Sequence, residues 1–153
     1  MGFFDGYNVS TSGMSAQRTR INVVSANIAN AKTTHTQEGG PYKKQQVVFE
    51  DVLLNQTKKI SSNDMQLTND KNSASELRGV GVKAVLDSNS KPILRFEPTH
   101  PDANEEGYVA YPDINPVIEM VDLIEAMRSY EANVAAFNTH KNIDSKTLDI
   151  LKV

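Results

Sequence analysis

The chain of 153 residues has no cysteine and no tryptophan. The first absence excludes disulfides, thiolate zinc sites and thiol catalysis. The second, with frequent amides and hydroxyls, leaves little apolar surface per residue to offset ordering entropy. No apolar run approaches the roughly 20 residues that span a bilayer, so no membrane insertion is expected. There is no excess of positive charge: the formal net charge is −3. That argues against nucleic acid as a partner, since phosphate binding needs a positive face. Met1 to Tyr7 carries no positive leader followed by an apolar stretch, so a cleaved secretory signal is not expected.

What the chain does have lies at its two ends. Asn115 reads as a helix N-cap and Pro116 as the first helical residue. Beyond Pro116 there is no further Gly or Pro, so nothing stops the helix. At 1.5 Å per residue it would reach roughly 54 Å. Its apolar residues alternate by threes and fours: Met120, Leu123, Met127, Tyr130, Val134, Phe137, then Leu148 and Leu151. That is the spacing of a coiled-coil seam. Lys141 and Asp144 interrupt it.

The N-terminal end repeats the pattern. Met1 to Gly6 reads as a flexible lead-in. Tyr7, Met14, Ile21 and Ile28 then recur every seven residues, with Gln17, Val24 and Ala31 between them. Gly13 is the one strong helix-breaker there. The stripe is thin, and such a helix is marginal alone. Two thin-striped helices at opposite ends imply that they pack together.

Between them the pattern changes to period two. Gln46–Phe49, Gly79–Leu86, Ile93–Phe96 and Gly107–Tyr111 read as strands, the second and third forming a hairpin over Asp87-Ser88-Asn89-Ser90. Residues 55–78 read as a polar, mobile excursion. The fold expected is therefore α+β: long N- and C-terminal helices in an antiparallel coiled-coil-like pair, with a small antiparallel β module between. Three segments follow, 1–36, 37–112 and 113–153.

No catalytic motif emerges. Asp102 to Asp113 places oxygens and a glycine much as an EF-hand loop does. Pro92, Pro98, Pro101 and Pro112 deny it the two flanking helices, so an acidic surface turn is expected. His35, His100 and His140 show no ligand spacing. Glu119, Asp122 and Glu125 are explained by proximity to a helix start. No metal, cofactor or enzymatic activity is expected.

The contact residues expected are those of the two seams: Met14, Gln17, Ile21, Val24 and Ile28, and Met120, Leu123, Ile124, Met127, Tyr130, Val134, Phe137, Asn138, Leu148 and Leu151. Gln17 and Asn138, polar and on or beside the seams, are placed to fix register.

Both ends also carry a resemblance. Ser12-Gly13-Met14-Ser15-Ala16-Gln17-Arg18 and Asn27-Ile28-Ala29-Asn30-Ala31 resemble the N-terminal signature of bacterial flagellar rod and hook proteins. Gly107-Tyr108-Val109, Pro112, Asn115, Val117, Glu119-Met120, Asp122, Ala126, Tyr130-Glu131-Ala132-Asn133-Val134 and Asn138 resemble the proximal-rod members of that family. The bend His100-Pro101-Asp102 is similar too, whereas 55–78 departs into its own polar sequence. The resemblance implies a structural subunit of the flagellar basal body. It would be exported without cleavage by the flagellar type III apparatus and assembled helically in the periplasm. Its partners would be copies of itself, other rod proteins and the export apparatus. The alternatives are a neighbouring rod component and a cytoplasmic coiled-coil adaptor or export chaperone. A wall hydrolase lacks a suitable carboxylate pair.

Overall fold

A computed structural model describes residues 4–54 and 77–151. Helix α1 runs from Asp5 to Ala29 and α2 from Pro116 to Leu151. Between them lie β1 (Gln45–Leu53), β2 (Arg78–Asp87), β3 (Ile93–Phe96) and β4 (Tyr108–Tyr111). The α+β architecture with helical ends is as the sequence implies. Most of the 55–78 excursion lies outside the described residues.

Helix α2 starts where local chemistry dictates. Asn115 Oδ1 accepts the Val117 amide at 3.0 Å, satisfying one of the donors a helix start leaves free. Pro116 costs nothing there, because its missing N–H would have no helical partner. Helix α1 begins earlier than expected: Asp5 and Gly6 are helical, so the lead-in assigned to Met1–Gly6 is corrected at least from Asp5 onward.

The two helices lie antiparallel. Gly6 faces His140, Gly13 faces Asn133, and Asn27 bonds Glu119. These rungs share one register, stepping in multiples of seven along both helices. A Cβ on Gly6 would fall 2.6 Å from the His140 ring, and one on Gly13 2.7 Å from Asn133 Oδ1. Gly13 therefore breaks helix propensity in return for close approach of the helices.

The strands pair differently from the expected hairpin. β1 pairs with β2, from Gln45↔Asp87 to Leu53↔Arg78, with an irregularity between Val48 and Phe49. β3 pairs with β4, Ile93↔Tyr111 to Phe96↔Tyr108. The result is two separate two-stranded ladders. The reason is visible in the partners. β1 offers Val47, Val48 and Phe49 along a nine-residue ladder, more pairing than four-residue β3 can give β2. β2 also meets α1: the Val80 amide donates to Ser12 Oγ at 3.1 Å. β3 in turn gains a T-shaped Phe96–Tyr108 contact, centroids 5.4 Å apart, and Arg95 sits 4.9 Å over the Tyr111 ring.

The apolar core among the described residues is small: Ala16, Val23, Val24 and Ala126 with the helices, Val109 and Ile114 around the β4–α2 junction.

Candidate assembly surface

Beside the small apolar core the structure holds a buried polar node. Asn27 and Glu119 are each 1% exposed. Asn27 Nδ2 donates to Glu119 Oε2 at 3.0 Å and to the Gln45 carbonyl at 2.9 Å. The Gln45 amide donates back to Asn27 Oδ1 at 2.9 Å, and the Tyr42 hydroxyl donates to it at 3.2 Å. Asn27 thus pairs with the start of β1 as a neighbouring strand residue would. Lys44 Nζ sits 2.6 Å from Glu119 Oε1, compensating the buried carboxylate. Burial, with the charges of Asp87 and Glu119 nearby, pushes the Tyr42 phenol up from its ordinary value. The node borders a cleft of about 370 Å³, across which Arg20 reaches Asp122 at 3.5 Å.

Glu119 is therefore more than a helix-dipole residue. Reading the sequence alone missed Lys44, Gln45 and Tyr42 and did not give Asn27 or Glu119 this role. One signal was available: a carboxylate and an amide each sit directly before an apolar seam position, Met120 and Ile28.

That offset holds along both helices. The close rungs fall at Gly6, Gly13 and Asn27 on α1 and at Glu119, Asn133 and His140 on α2. The expected columns were Tyr7, Met14 and Ile28, and Met120 and Val134, each one residue later. Small and polar residues occupy the contact line, and the larger ones flank it. Met14, Gln17, Ile21 and Ile28 are half-buried on α1, as are Leu123, Tyr130, Val134 and Phe137 on α2. Tyr7 and Phe137 meet edge to face at 4.9 Å. Val24 is 6% exposed and lies in the chain's own interior. Met120, Ile124, Met127, Asn138, Leu148 and Leu151 are exposed.

One of the two seam breaks is also explained. Asp144 accepts the Tyr7 hydroxyl at 2.6 Å, tying the start of α1 to the last third of α2. That bond, with some desolvation and the Asp144 charge, raises the Tyr7 phenol above its ordinary value.

The EF-hand-like stretch runs from the β3–β4 connection through β4. Asn104 Oδ1 accepts the Glu106 and Tyr108 amides at 3.1 and 2.7 Å, and Gly107 turns the chain at φ 81°. No helix immediately precedes it: β3 comes before it, and β4 lies within its second half. His100 Nδ1 accepts the Asp102 amide, and Asp102 accepts the Thr34 hydroxyl at 2.7 Å. These bonds close a turn and fasten it to the segment after α1. No group of three or more His, Cys, Asp or Glu among the described residues is placed to hold a metal ion, and no described helix is long and apolar enough to cross a membrane.

What remains is an apolar face on α2. Val117, Ile118, Met120, Val121, Ile124 and Met127 are all exposed, a run of large aliphatic side chains over about three turns. Such a patch is a candidate interaction surface.

Residues 8–34 match the family model "Flagella basal body rod protein". Residues 105–150 match "Flagellar basal body rod FlgEFG protein C-terminal". Over 153 residues the chain is 40% identical to the flagellar basal-body rod protein FlgC of Bacillus subtilis, covering 97% of this chain and 98% of that one. The FlgC of Borreliella burgdorferi is 38% identical over 156 residues and 99% of each chain. This chain belongs to the FlgC family. Its FlgC relative in Salmonella typhimurium is 33% identical over 150 residues, 98% of each chain. The two family matches fall on the paired helices, and the node residues Asn27 and Glu119 lie within them.

Proposed function

We propose that the chain is a structural subunit of the bacterial flagellar basal-body rod, placed in its proximal part. The observation that carries this reading is near full-length similarity to FlgC proteins joined to an exposed apolar face on α2. On this reading the chain performs no chemical step. Copies assemble helically around a common axis, with other rod proteins as neighbours, and torque passes through their packed interfaces. The chain leaves the cytoplasm through the flagellar type III apparatus without cleavage and works in the periplasm. Segments 1–36 and 113–153 form the axial pair, and 37–112 braces neighbours from outside.

The small core supports assembly-coupled ordering. The buried apolar residues are mainly alanine and valine, while Ile118, Met120, Ile124 and Met127 stay exposed. Burying each of these against neighbours contributes about 1.5–3 kcal/mol, which helps offset the ordering cost of marginal helices. The test is genetic and biochemical. Deleting the gene should abolish rods and swimming, and a tagged chain should co-purify with basal bodies. Intact rods in the deletion strain would sink the reading.

A further inference from the structure

With no cysteine and no tryptophan, the chain's thioethers are the side chains that a peroxide oxidises most readily. Met14, Met120 and Met127 are the methionines among the described residues. Their surroundings differ. Met14 is half-buried on α1, next to the close approach at Gly13. Met120 is 47% exposed and Met127 41%.

The two exposed methionines belong to one surface. Seven residues make nearly two full turns, so they share a side of α2, roughly 10 Å apart along its axis. Ile124 lies between them, at spacings of four and three. Val117, Ile118 and Val121 complete the exposed aliphatic run. None of these side chains can donate a hydrogen bond.

We propose that Met120 and Met127 form an oxidation-sensitive site on α2, and that a chain oxidised there is barred from assembly. The inference rests on the rod reading and adds a chemical control to it. The co-reactant is hydrogen peroxide. One peroxide oxygen bonds to the thioether sulfur as the O–O bond breaks, and water leaves with both protons. Sulfur gives up two electrons, and the peroxide takes them. The product sulfoxide carries a hydrogen-bond acceptor where the face was apolar. Water solvates that oxygen in the free chain, so the fold tolerates it. Under a neighbouring subunit it must be desolvated, and the aliphatic run around it offers no donor. The site is therefore open before assembly and shielded after it. Thiol-dependent reduction of the sulfoxide reverses the change, so an oxidised subunit is held back rather than lost.

Peptide mapping of the purified full-length chain after brief peroxide treatment reads the site directly. Met120 and Met127 should each gain one oxygen several-fold faster than Met14, with helical circular dichroism unchanged. Equal rates at all three, or Met14 first, would overturn the proposal. The same treatment of isolated basal bodies should leave Met120 and Met127 unmodified. Oxidation there at the free-chain rate would also overturn it, whereas absence of the chain from basal bodies would refute the rod reading instead. Substitution tests the consequence, because glutamine approximates the polarity of the sulfoxide and leucine keeps the face apolar without sulfur. Cells in which Met120→Gln with Met127→Gln replaces the native chain should make it at the wild-type level but lose rods and swimming. Met120→Leu with Met127→Leu should keep both. Rods with the glutamine pair, or none with the leucine pair, would sink the proposal. A purified glutamine variant that has lost helix would do so too, since the face would then be needed within the chain.

Discussion

Asn27 and Glu119, 92 residues apart, share a buried hydrogen bond of 3.0 Å. This bond joins the end of α1 to the start of α2, and through Gln45 and Lys44 it fixes both to β1. Its members hold each other's charge and hydrogen-bonding capacity, so the unit resists piecemeal change.

Glu119→Ala should therefore destabilise the chain by about 1–3 kcal/mol, the cost of leaving the buried Asn27 donor without its acceptor. The double replacement Lys44→Met, Glu119→Met should recover part of that loss, since apolar substitutes of similar volume often match a buried ion pair and Asn27 keeps its bonds to Gln45. Urea unfolding of the three proteins measures both effects. A Glu119→Ala chain as stable as wild type would contradict the compensated-charge account.

Gly13 gives a second case. Alanine there gains up to about 1 kcal/mol of helix propensity. Its Cβ, however, would fall 2.7 Å from Asn133 Oδ1, in a side chain that also donates to the Ser129 carbonyl at 2.9 Å. Gly13→Ala alone should be neutral to destabilising. Gly13→Ala with Asn133→Ala should exceed Asn133→Ala alone by close to the full propensity gain. A double-mutant cycle showing simple additivity would remove the close-approach explanation.

These two examples show what the sequence made legible. The start of α2 could be read at Asn115-Pro116, because a cap is satisfied by neighbours in sequence. The helical ends and their antiparallel pairing followed from period and position. The line of contact did not. Periodicity weighs large apolar residues, but two helices approach closely where side chains are small, so Gly13 and Asn133 define the line and Met14 and Val134 flank it. The node escaped because Lys44 and Gln45 are distant from both helices in sequence. Pairing of β1 with β2 escaped because the choice among four short strands depends on non-local partners.

Alkaline titration should loosen the end of the pair where α1 begins. Tyr7 has its pKa raised above the ordinary 10.0 by its bond to Asp144. A raised pKa in the fold means stability fully present below pH 10 and lost as pH rises through the folded value. Phenolate absorbance should show tyrosines titrating above the ordinary value, among them Tyr42 and Tyr111, which are raised as well. Asp144→Asn should return one of them toward 10.0. An unchanged titration in Asp144→Asn would mean that the Tyr7–Asp144 bond is absent in solution.

Two aspartate substitutions separate folding from assembly. Val24 is inside the chain, and Ile124 is 45% exposed. Val24→Asp puts an uncompensated charge in the interior and should unfold the helix pair, reducing helical circular dichroism and leaving little chain to export. Ile124→Asp lies on the outer face and should change monomer stability by less than about 0.5 kcal/mol, the usual range for a surface substitution. It nevertheless places a charge in the middle of the exposed aliphatic run, where a neighbouring subunit would have to desolvate it. Ile124→Asp chains should therefore be made and exported normally but fail to enter rods, and the cells should not swim. Normal swimming with Ile124→Asp would show that this face of α2 is not where subunits meet. Loss of helix in Ile124→Asp would show instead that the face is needed within the chain itself.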